Sequence, residues 1–313
     1  PRFVQLRHVT GGAANDPAAA PKAAVLMPFA SELNEGANAG QAEVDALQKA
    51  GFQVDVFRNQ DVTIDLMTTL GSYSAVYMES HSGLLANGDA ILVTGSTDGS
   101  KYKKYLPPAY APGGDNTVQP AIVDGATGEY LAIVAGFIQQ HMNSFPDSSL
   151  LYFDGCDLLS ATKFWGALQA KNADTMVSWD NHIFSSSSEL AAQYMFSQLA
   201  SGETVSQSLD ATGKAGMASG YGDQGIAHLG YLGDGADTLA LSLSHATPIA
   251  TPTETPTATS TPDPPTPTAT PKKLPRTKCK HGKHRIHGGK CMCKRDYKMS
   301  HGKCRKVKKK HHY

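Results

Sequence analysis

Two residues that can carry covalent chemistry each follow an apolar run of this 313-residue chain. Cys156 lies in the stretch LLYFDGCDLL and is the only cysteine before Cys279, and His81 lies in VYMESHSG. A thiol becomes a useful nucleophile when a base raises its thiolate fraction, and histidine is the usual base. The two stretches therefore predict nucleophilic catalysis, provided that the fold brings the cysteine and the histidine together.

A cysteine of the hydrophobic core is the alternative interpretation, because free cysteine is among the most buried residue types. A hydrolase elbow of the form G-x-C-x-G is excluded, since Asp154 and Leu158 occupy the two glycine positions. The choice between catalyst and core residue thus depends on the elements that position Cys156.

Short apolar runs alternate with helical patterns through the first 245 residues. The strand patterns are KAAVLMPF, FQVDVF, SAVYMES, SSLLYFDGC and ADTMVSW, with a hairpin around AILVTG and a last strand pair within IAHLGYLGDGADTLALSL. The helical patterns between them include NAGQAEVDALQKAG, EYLAIVAGFIQQHM and DLLSATKFWGALQAKN. Strands separated by helices predict the α/β class, as a three-layer sandwich with a mostly parallel sheet.

In such sheets, sites form at the carboxyl ends of the strands, where both His81 and Cys156 are predicted to lie. A helix that begins directly after Cys156 would also point its N-terminus at the sulfur and favour the thiolate.

The order strand–His–small–Gly and later strand–small–Cys resembles the caspase-fold (clan CD) cysteine peptidases. This group includes clostripain-like, gingipain-like and CHAT-like proteins, and FDGCDLLSATKFWGAL is similar to the clostripain-type block around the nucleophile. The resemblance covers most of residues 22–243. It implies a caspase-like domain in which Cys156 attacks the scissile carbonyl and His81 acts as general base or acid. Backbone N–H groups at Ser82, Gly83 and Cys156 would form the oxyanion hole.

The same resemblance implies a substrate pocket for a basic side chain. Asp154, two residues before the nucleophile, would line the S1 pocket, Asp180 would join it, and Trp179 could form a wall. Two carboxylates suit a P1 Arg or Lys through charge-assisted pairing. The alternatives are an N-cap role for Asp154, an ordinary loop position for Asp180 and simple packing for Trp179.

Two positions depart from the family pattern. Ser82 stands directly after the histidine, where the family usually has Gly, and Gly155 replaces the common Ala before the cysteine.

The charge of the chain is strongly divided between its two ends, although the formal total is zero. Residues 272–313 hold seventeen Lys and Arg against Asp296 alone, which leaves 27 acidic and 11 basic residues before them. We expect four regions: an N-terminal extension (1–21), the peptidase-like domain (22–245), a Thr/Pro-rich linker (246–275) and a basic Cys-rich module (276–313). The basic module predicts binding to anionic polymers such as cell-wall polyanions, acidic polysaccharide or DNA.

The linker and the four late cysteines favour a secreted or cell-surface protein, and a start at Pro1 fits a processed product. No apolar run is long enough to predict a membrane span. Disulfides are the leading prediction for the cysteines, with three pairings open, and zinc bound with nearby histidines is the alternative. No cofactor is otherwise expected, and a calcium requirement is left open. The cysteines and the nearby histidines are Cys279, Cys291, Cys293 and Cys304, with His281, His284 and His287.

The lysine-rich segment GSKYKKYLPP has the composition of an exposed proteolytic site. With a basic P1 preference, we expect self-cleavage after Lys101, Lys103 or Lys104. The sequence as a whole predicts a secreted cysteine endopeptidase, and the alternative is a non-catalytic surface adhesion protein with the same fold.

Overall fold

The chain divides into two compact units, Pro1–Thr251 and Pro252–Tyr313. The computed structural model describes residues 20–31, 39–123 and 128–240 of the first unit. Of the second unit it describes the backbone of four short strands.

A seven-stranded sheet forms the centre of the first unit. Its strands, in spatial order, are β10 (Ser219–Gly222), β11 (Gly225–Gly233), β9 (Thr175–Trp179), β8 (Leu150–Asp154), β3 (Ala75–Glu79), β1 (Lys22–Met27) and β2 (Gln53–Arg58). The neighbours from β9 through to β2 are parallel, whereas β11 is antiparallel to β9 and β10 is antiparallel to β11. The sheet is therefore mixed and mostly parallel.

Helices cover both faces of this sheet. They are α1 (Gln41–Lys49), α2 (Ile64–Thr68), α3 (Ala135–His141), α4 (Thr162–Gln169), α5 (Ser185–Leu199) and α6 (Val205–Lys214). Alternate residues of the central strands pack with α2, α3 and α4 in one hydrophobic core and with α1, α5 and α6 in a second core. Burial on both faces explains why β1, β3, β8 and β9 are almost continuously apolar. The predicted α/β class is confirmed, and the layers are compatible with a three-layer sandwich.

A second, antiparallel sheet of four strands lies beside the carboxyl end of β3. Its order is β4 (Ser82–Leu84), β5 (Ala90–Val93), β7 (Glu129–Ile133) and β6 (Val118–Ile122). The predicted hairpin around AILVTG corresponds to β4 and β5. The stretch EYLAIVAGFIQQHM divides into a strand, β7, followed by the helix α3.

The last strand pair lies earlier in the chain than the sequence predicted. We expected it within residues 226–243, but β10 and β11 together span residues 219–233. The strand β10 was missed because Ser-Gly-Tyr-Gly has a low strand propensity. Its glycines are required by close packing, since a Cβ on Gly222 would overlap the carbonyl oxygen of His182.

The described backbone of the C-terminal unit forms two hairpins. One pairs β12 (Lys283–Arg285) with β13 (Cys291–Cys293), and the other pairs β14 (Tyr297–Ser300) with β15 (Lys303–Lys306). The predicted pairing of the four cysteines and the zinc alternative concern side chains that lie outside the described residues. Within the described ranges, no helix has the length and apolarity needed to cross a membrane.

Candidate active site

The two reactive residues follow neighbouring parallel strands at the same edge of the central sheet. His81 comes two residues after the end of β3, and Cys156 comes two residues after the end of β8. The backbone N–H of Ser80 donates a hydrogen bond of 3.0 Å to the carbonyl oxygen of Asp154, so the two loops stay in register beyond the strands. The parallel sheet thus delivers both residues to one place.

His81 and Cys156 line one cavity of about 220 Å³, which we call the Cys–His cavity. This volume is below the range of about 300–1,000 Å³ typical of small-molecule sites and is on the scale of a single side chain. The lining residues are Glu79, Ser80, His81, Asp154, Gly155, Cys156, Ile183, Phe184, Ser185 and Ser188. Of the predicted site residues, the cavity brings together His81, Cys156 and Asp154.

The small antiparallel sheet supports the histidine loop. The backbone N–H of Val93 donates to the His81 carbonyl oxygen at 2.9 Å, and the Ser80 hydroxyl donates to the Val93 carbonyl oxygen at 2.6 Å. The imidazole and the Phe29 ring pack edge to face, with centroids 4.7 Å apart. Because both the backbone and the ring of His81 are held, its imidazole has a restricted orientation.

Serine hydroxyls hold residues 155–157, which carry the candidate nucleophile and which we call the nucleophile loop. The Ser82 hydroxyl donates to the carbonyl oxygen of Cys156 at 2.7 Å, and the Ser178 hydroxyl donates to that of Gly155 at 3.4 Å. Asp157 adopts a left-handed conformation with φ of 64°. Ser82 is the first residue of β4. It contacts the nucleophile loop but is not one of the residues that line the Cys–His cavity.

The environment of Cys156 favours the neutral thiol. Burial raises the pKa of the Cys156 thiol, and the carboxylates of Asp157, Asp154 and Asp223 raise it further. The backbone of Ile183 acts in the opposite direction, and the thiol donates a weak 3.9 Å contact to the Ile183 carbonyl oxygen.

The expected help from a helix N-terminus is absent at this sulfur. The helix α4 begins only at Thr162, and a 3₁₀ turn, Leu158–Ser160, lies between it and the cysteine. Formation of the Cys156 thiolate at neutral pH therefore requires a base.

Alkylation of Cys156 by iodoacetamide should be slow at neutral pH and should rise across the alkaline range. The midpoint is expected above that of a free cysteine, because burial and nearby carboxylates disfavour the anion. Asp157→Asn removes one of these charges, so its midpoint should lie at a lower pH than that of the wild type. Mass spectrometry of the Cys156 peptide across a pH series measures the alkylation midpoint of the wild type and of the variant. Asp65→Asn is the control, because Asp65 is an exposed acid that pairs with Lys101. Equal midpoints in the Asp157 variant and the wild type would contradict the electrostatic explanation.

A histidine between two carboxylates holds the other side of the nucleophile loop. Nε2 of His182 lies 3.2 Å from a carboxylate oxygen of Asp157, and Nδ1 lies 2.7 Å from one of Asp223. Burial raises the pKa of the Asp157 carboxyl, and His182 together with the Leu84 backbone N–H counteracts this. The left-handed Asp157 is thus fixed from two neighbouring loops.

Asp154 is a buried carboxylate that is held by two aromatic donors. Trp179 Nε1 donates to one oxygen at 3.0 Å, and the Tyr77 hydroxyl donates to the other at 3.3 Å. Burial and the nearby carboxylates raise the pKa of Tyr77, so the phenol remains a donor. Asp154 does not cap the following helix, whose N-cap is Ala161. Trp179 is fully buried and contributes to the Cys–His cavity only through Asp154.

Trp179→Phe should destabilise the fold by about 2–3 kcal/mol, because a buried carboxylate loses a charge-assisted hydrogen bond. Urea unfolding followed by circular dichroism measures the change. Trp165→Phe is the control. Trp165 is also buried, but no hydrogen bond from its indole to a carboxylate is found among the described residues, in contrast to Trp179. A similar loss in both variants would mean that ring area, and not the bond to Asp154, determines the effect.

Asp180 does not line the Cys–His cavity, although the sequence placed it beside Asp154. Its carboxylate accepts the backbone N–H of His228 at 2.7 Å and lies 3.2 Å from Nδ1 of the same residue. This pairing across β9 and β11 turns the side chain away from the cavity.

Glu79 is the charged cavity residue that the sequence did not predict. It is the last residue of β3, it is buried, and it is the register partner of Asp154 on β8. The signal was present in the sequence as a repeated spacing, since an acid stands two residues before His81 and another stands two residues before Cys156. Two carboxylates therefore do line the cavity, but the second comes from β3.

The segment with the predicted self-cleavage sites is anchored on both sides of its lysines. Tyr102 and Tyr105 are buried, Lys101 pairs with Asp65 at 2.7 Å, and the Lys104 ammonium lies over the Tyr105 ring. A peptide must be extended to enter a protease site, so cleavage after Lys101, Lys103 or Lys104 requires local opening of this segment. Self-cleavage there remains a prediction, with a rate limited by that opening.

Comparison with known proteins identifies no relative from which the role of the site could be inferred. No protein-family model matches the chain, and no curated protein matches it significantly. Among the described residues, no group of three or more His, Cys, Asp or Glu side chains is arranged to hold a metal ion.

Proposed function

We propose that the first unit is a caspase-like cysteine peptidase domain that cleaves peptide bonds after Arg or Lys. The observation that carries the proposal is the Cys–His cavity, in which neighbouring parallel strands deliver His81 and Cys156 beside two carboxylates. Nucleophile, base and charge-selective pocket are the three parts that such a reaction requires. The likeness of the motifs to clan CD peptidases points in the same direction.

In the proposed mechanism, His81 takes the proton of the Cys156 thiol as the sulfur attacks the scissile carbonyl carbon. The raised pKa of the thiol makes this transfer a necessary part of the attack. The tetrahedral oxyanion is held by backbone N–H groups, for which Cys156 and Gly83 are the candidates. His81 then protonates the leaving amine, and water hydrolyses the thioester to regenerate the thiol.

Glu79 and Asp154 would supply the specificity for a basic P1 side chain. Both carboxylates lie within the lining of a cavity that has the size of one side chain. A guanidinium or ammonium group entering there would exchange its hydration for charge-assisted hydrogen bonds. The exposed side chain of Phe184 at the same cavity leaves an apolar wall for the neighbouring part of a substrate.

Fluorogenic peptides with Arg or Lys at P1 test this proposal directly. We expect turnover by the full chain and covalent labelling of Cys156 by an arginyl chloromethyl ketone, located by mass spectrometry. The same peptides with Asp at P1 should not be cleaved, because a third carboxylate would be repelled. Absence of both turnover and labelling would overturn the peptidase proposal.

The second candidate function is adhesion without catalysis, favoured by the charge of the second unit. Residues 272–313 carry a net charge near +16 by count, whereas the rest of the chain is acidic. In either case we propose a secreted or cell-surface protein whose basic module binds anionic polymers. Such binding should weaken steeply as salt is raised, because salt ions screen the attraction between the basic residues and the polyanion.

A further inference from the structure

The residues at the two departures from the family pattern, Ser82 and Gly155, lie against each other. A Cβ built on Gly155 would overlap the Ser82 hydroxyl and would approach the carbonyl oxygen of Ser80 to 2.9 Å. Gly155 is therefore required by the side chain of Ser82 and by the backbone before it. The two positions form a matched pair that spans the loops of the base and the nucleophile.

The Ser82 hydroxyl also makes a bond with a direct bearing on the nucleophile. It donates to the carbonyl oxygen of Cys156 at 2.7 Å, which fixes the peptide that follows the reactive sulfur. The preceding peptide, which contains the Cys156 N–H, is held on its other side by the Ser178 hydroxyl. Since the Cys156 N–H is a candidate oxyanion donor, both peptides must be oriented for attack.

The geometry points to Ser82 as a positioning residue that latches the nucleophile loop, residues 155–157, to the strand that follows the base. Its hydroxyl fixes the peptide of Cys156, and Gly155 provides the space that the hydroxyl occupies. In this arrangement Ser82 acts through its side chain, in addition to any role of its backbone N–H in the oxyanion hole. The expected effect of the latch on turnover rests on the proposed peptidase function, whereas its expected effect on the alkylation of Cys156 does not.

Ser82→Ala should lower kcat about tenfold and leave KM within about twofold, because one hydrogen bond that orients the nucleophile is lost. The same variant should be alkylated at Cys156 by iodoacetamide at least about threefold faster, because a loosened loop exposes the partly buried thiol. Ser82→Thr keeps the hydroxyl and should stay near the wild type in both measurements.

Gly155→Ala should lower kcat about 100-fold, because the new methyl group displaces the nucleophile loop. Adding Ser82→Gly in the same chain should recover about tenfold, because the obstructing hydroxyl is removed. The two substitutions are therefore expected to be strongly non-additive. Ser197→Ala is the control, since it removes a hydroxyl bond to a backbone carbonyl near the C-terminal end of α5, whereas α5 contributes to the cavity at its N-terminal end.

All variants are tested as the full chain, with kcat and KM from a P1 Arg peptide, alkylation of the Cys156 peptide and thermal unfolding. Loss of turnover with faster alkylation and unchanged unfolding supports the latch. A Ser82→Ala protein that matches the wild type in both kcat and alkylation overturns it, as does one that only unfolds at lower temperature. If the wild type shows neither turnover nor labelling by the arginyl chloromethyl ketone, the peptidase proposal fails, and the alkylation rates alone decide the latch.

Discussion

Cys156→Ala should abolish peptide hydrolysis, with kcat lowered by about 10⁴-fold or more. The substitution removes the atom that forms the thioester, and residual catalysis would come only from binding and oxyanion stabilisation. Continuous assays with a P1 Arg peptide measure the loss. The fold should be unaffected, because the Ala side chain is smaller than that of Cys and Cys156 is only partly buried.

His81→Ala should lower kcat by about 10²–10⁴-fold, because the thiol pKa is raised and little thiolate forms without a base. The loss should shrink at alkaline pH, where hydroxide ionises the thiol in place of the imidazole. Combining the two substitutions should cost no more than Cys156→Ala alone, since the residues act as one unit.

Cys156→Ser serves as the matched control, because it keeps the size and the hydrogen-bonding capacity of the side chain. Three other hydroxyls, those of Ser80, Ser185 and Ser188, belong to residues lining the same cavity. If Cys156→Ala retained turnover that was lost on replacing one of these serines, the nucleophile would be a serine and the proposed mechanism would be wrong.

The sequence located the reactive residues because their positions depend on local patterns. An apolar run of five or six residues between helices predicts a buried parallel strand, and the end of such a strand is where a site forms. β3 and β8 follow this rule, so His81 and Cys156 could be placed at one edge before the structure was known. The α/β class follows from the same alternation.

The features that the sequence could not supply depend on contacts between distant segments. The side chain of Asp180 is turned away by His228, which lies 48 residues later in the chain. The pKa of Cys156 is raised because burial and the carboxylates outweigh the backbone hydrogen bond of Ile183, and neither the burial nor the 3₁₀ turn before α4 is visible in the motif. The hydrogen bond from Ser82 to Cys156 likewise joins residues 74 positions apart, and Gly155 leaves the space for it.

Replacing Glu79 should change the substrate preference of the proposed peptidase more than any other single substitution outside the Cys–His pair. We expect Glu79→Gln to lower kcat/KM for a P1 Arg peptide by about 10–100-fold, because a desolvated cation loses a charged partner. The double variant Glu79→Gln/Asp154→Asn should lose about 10³-fold. Peptides with a neutral P1 residue should be cleaved no worse, since the carboxylates contribute nothing to their binding.

The comparison of Glu79→Gln with Asp180→Asn decides which acid is the second carboxylate of the pocket. The structure places Glu79 in the cavity lining and binds Asp180 to His228 on β11. We therefore expect Asp180→Asn to keep the wild-type ratio of P1 Arg to neutral P1 cleavage, together with a surface control, Asp65→Asn.

Asp154→Asn also alters the acceptor of two buried hydrogen bonds, those donated by Trp179 and Tyr77. Loss of either bond would destabilise the cavity and confuse binding with folding. Urea unfolding of each variant separates the two effects, since a specificity change without a stability change can come only from the pocket. If Asp180→Asn abolished the preference for Arg while Glu79→Gln preserved it, the assignment of the pocket from the cavity lining would be wrong.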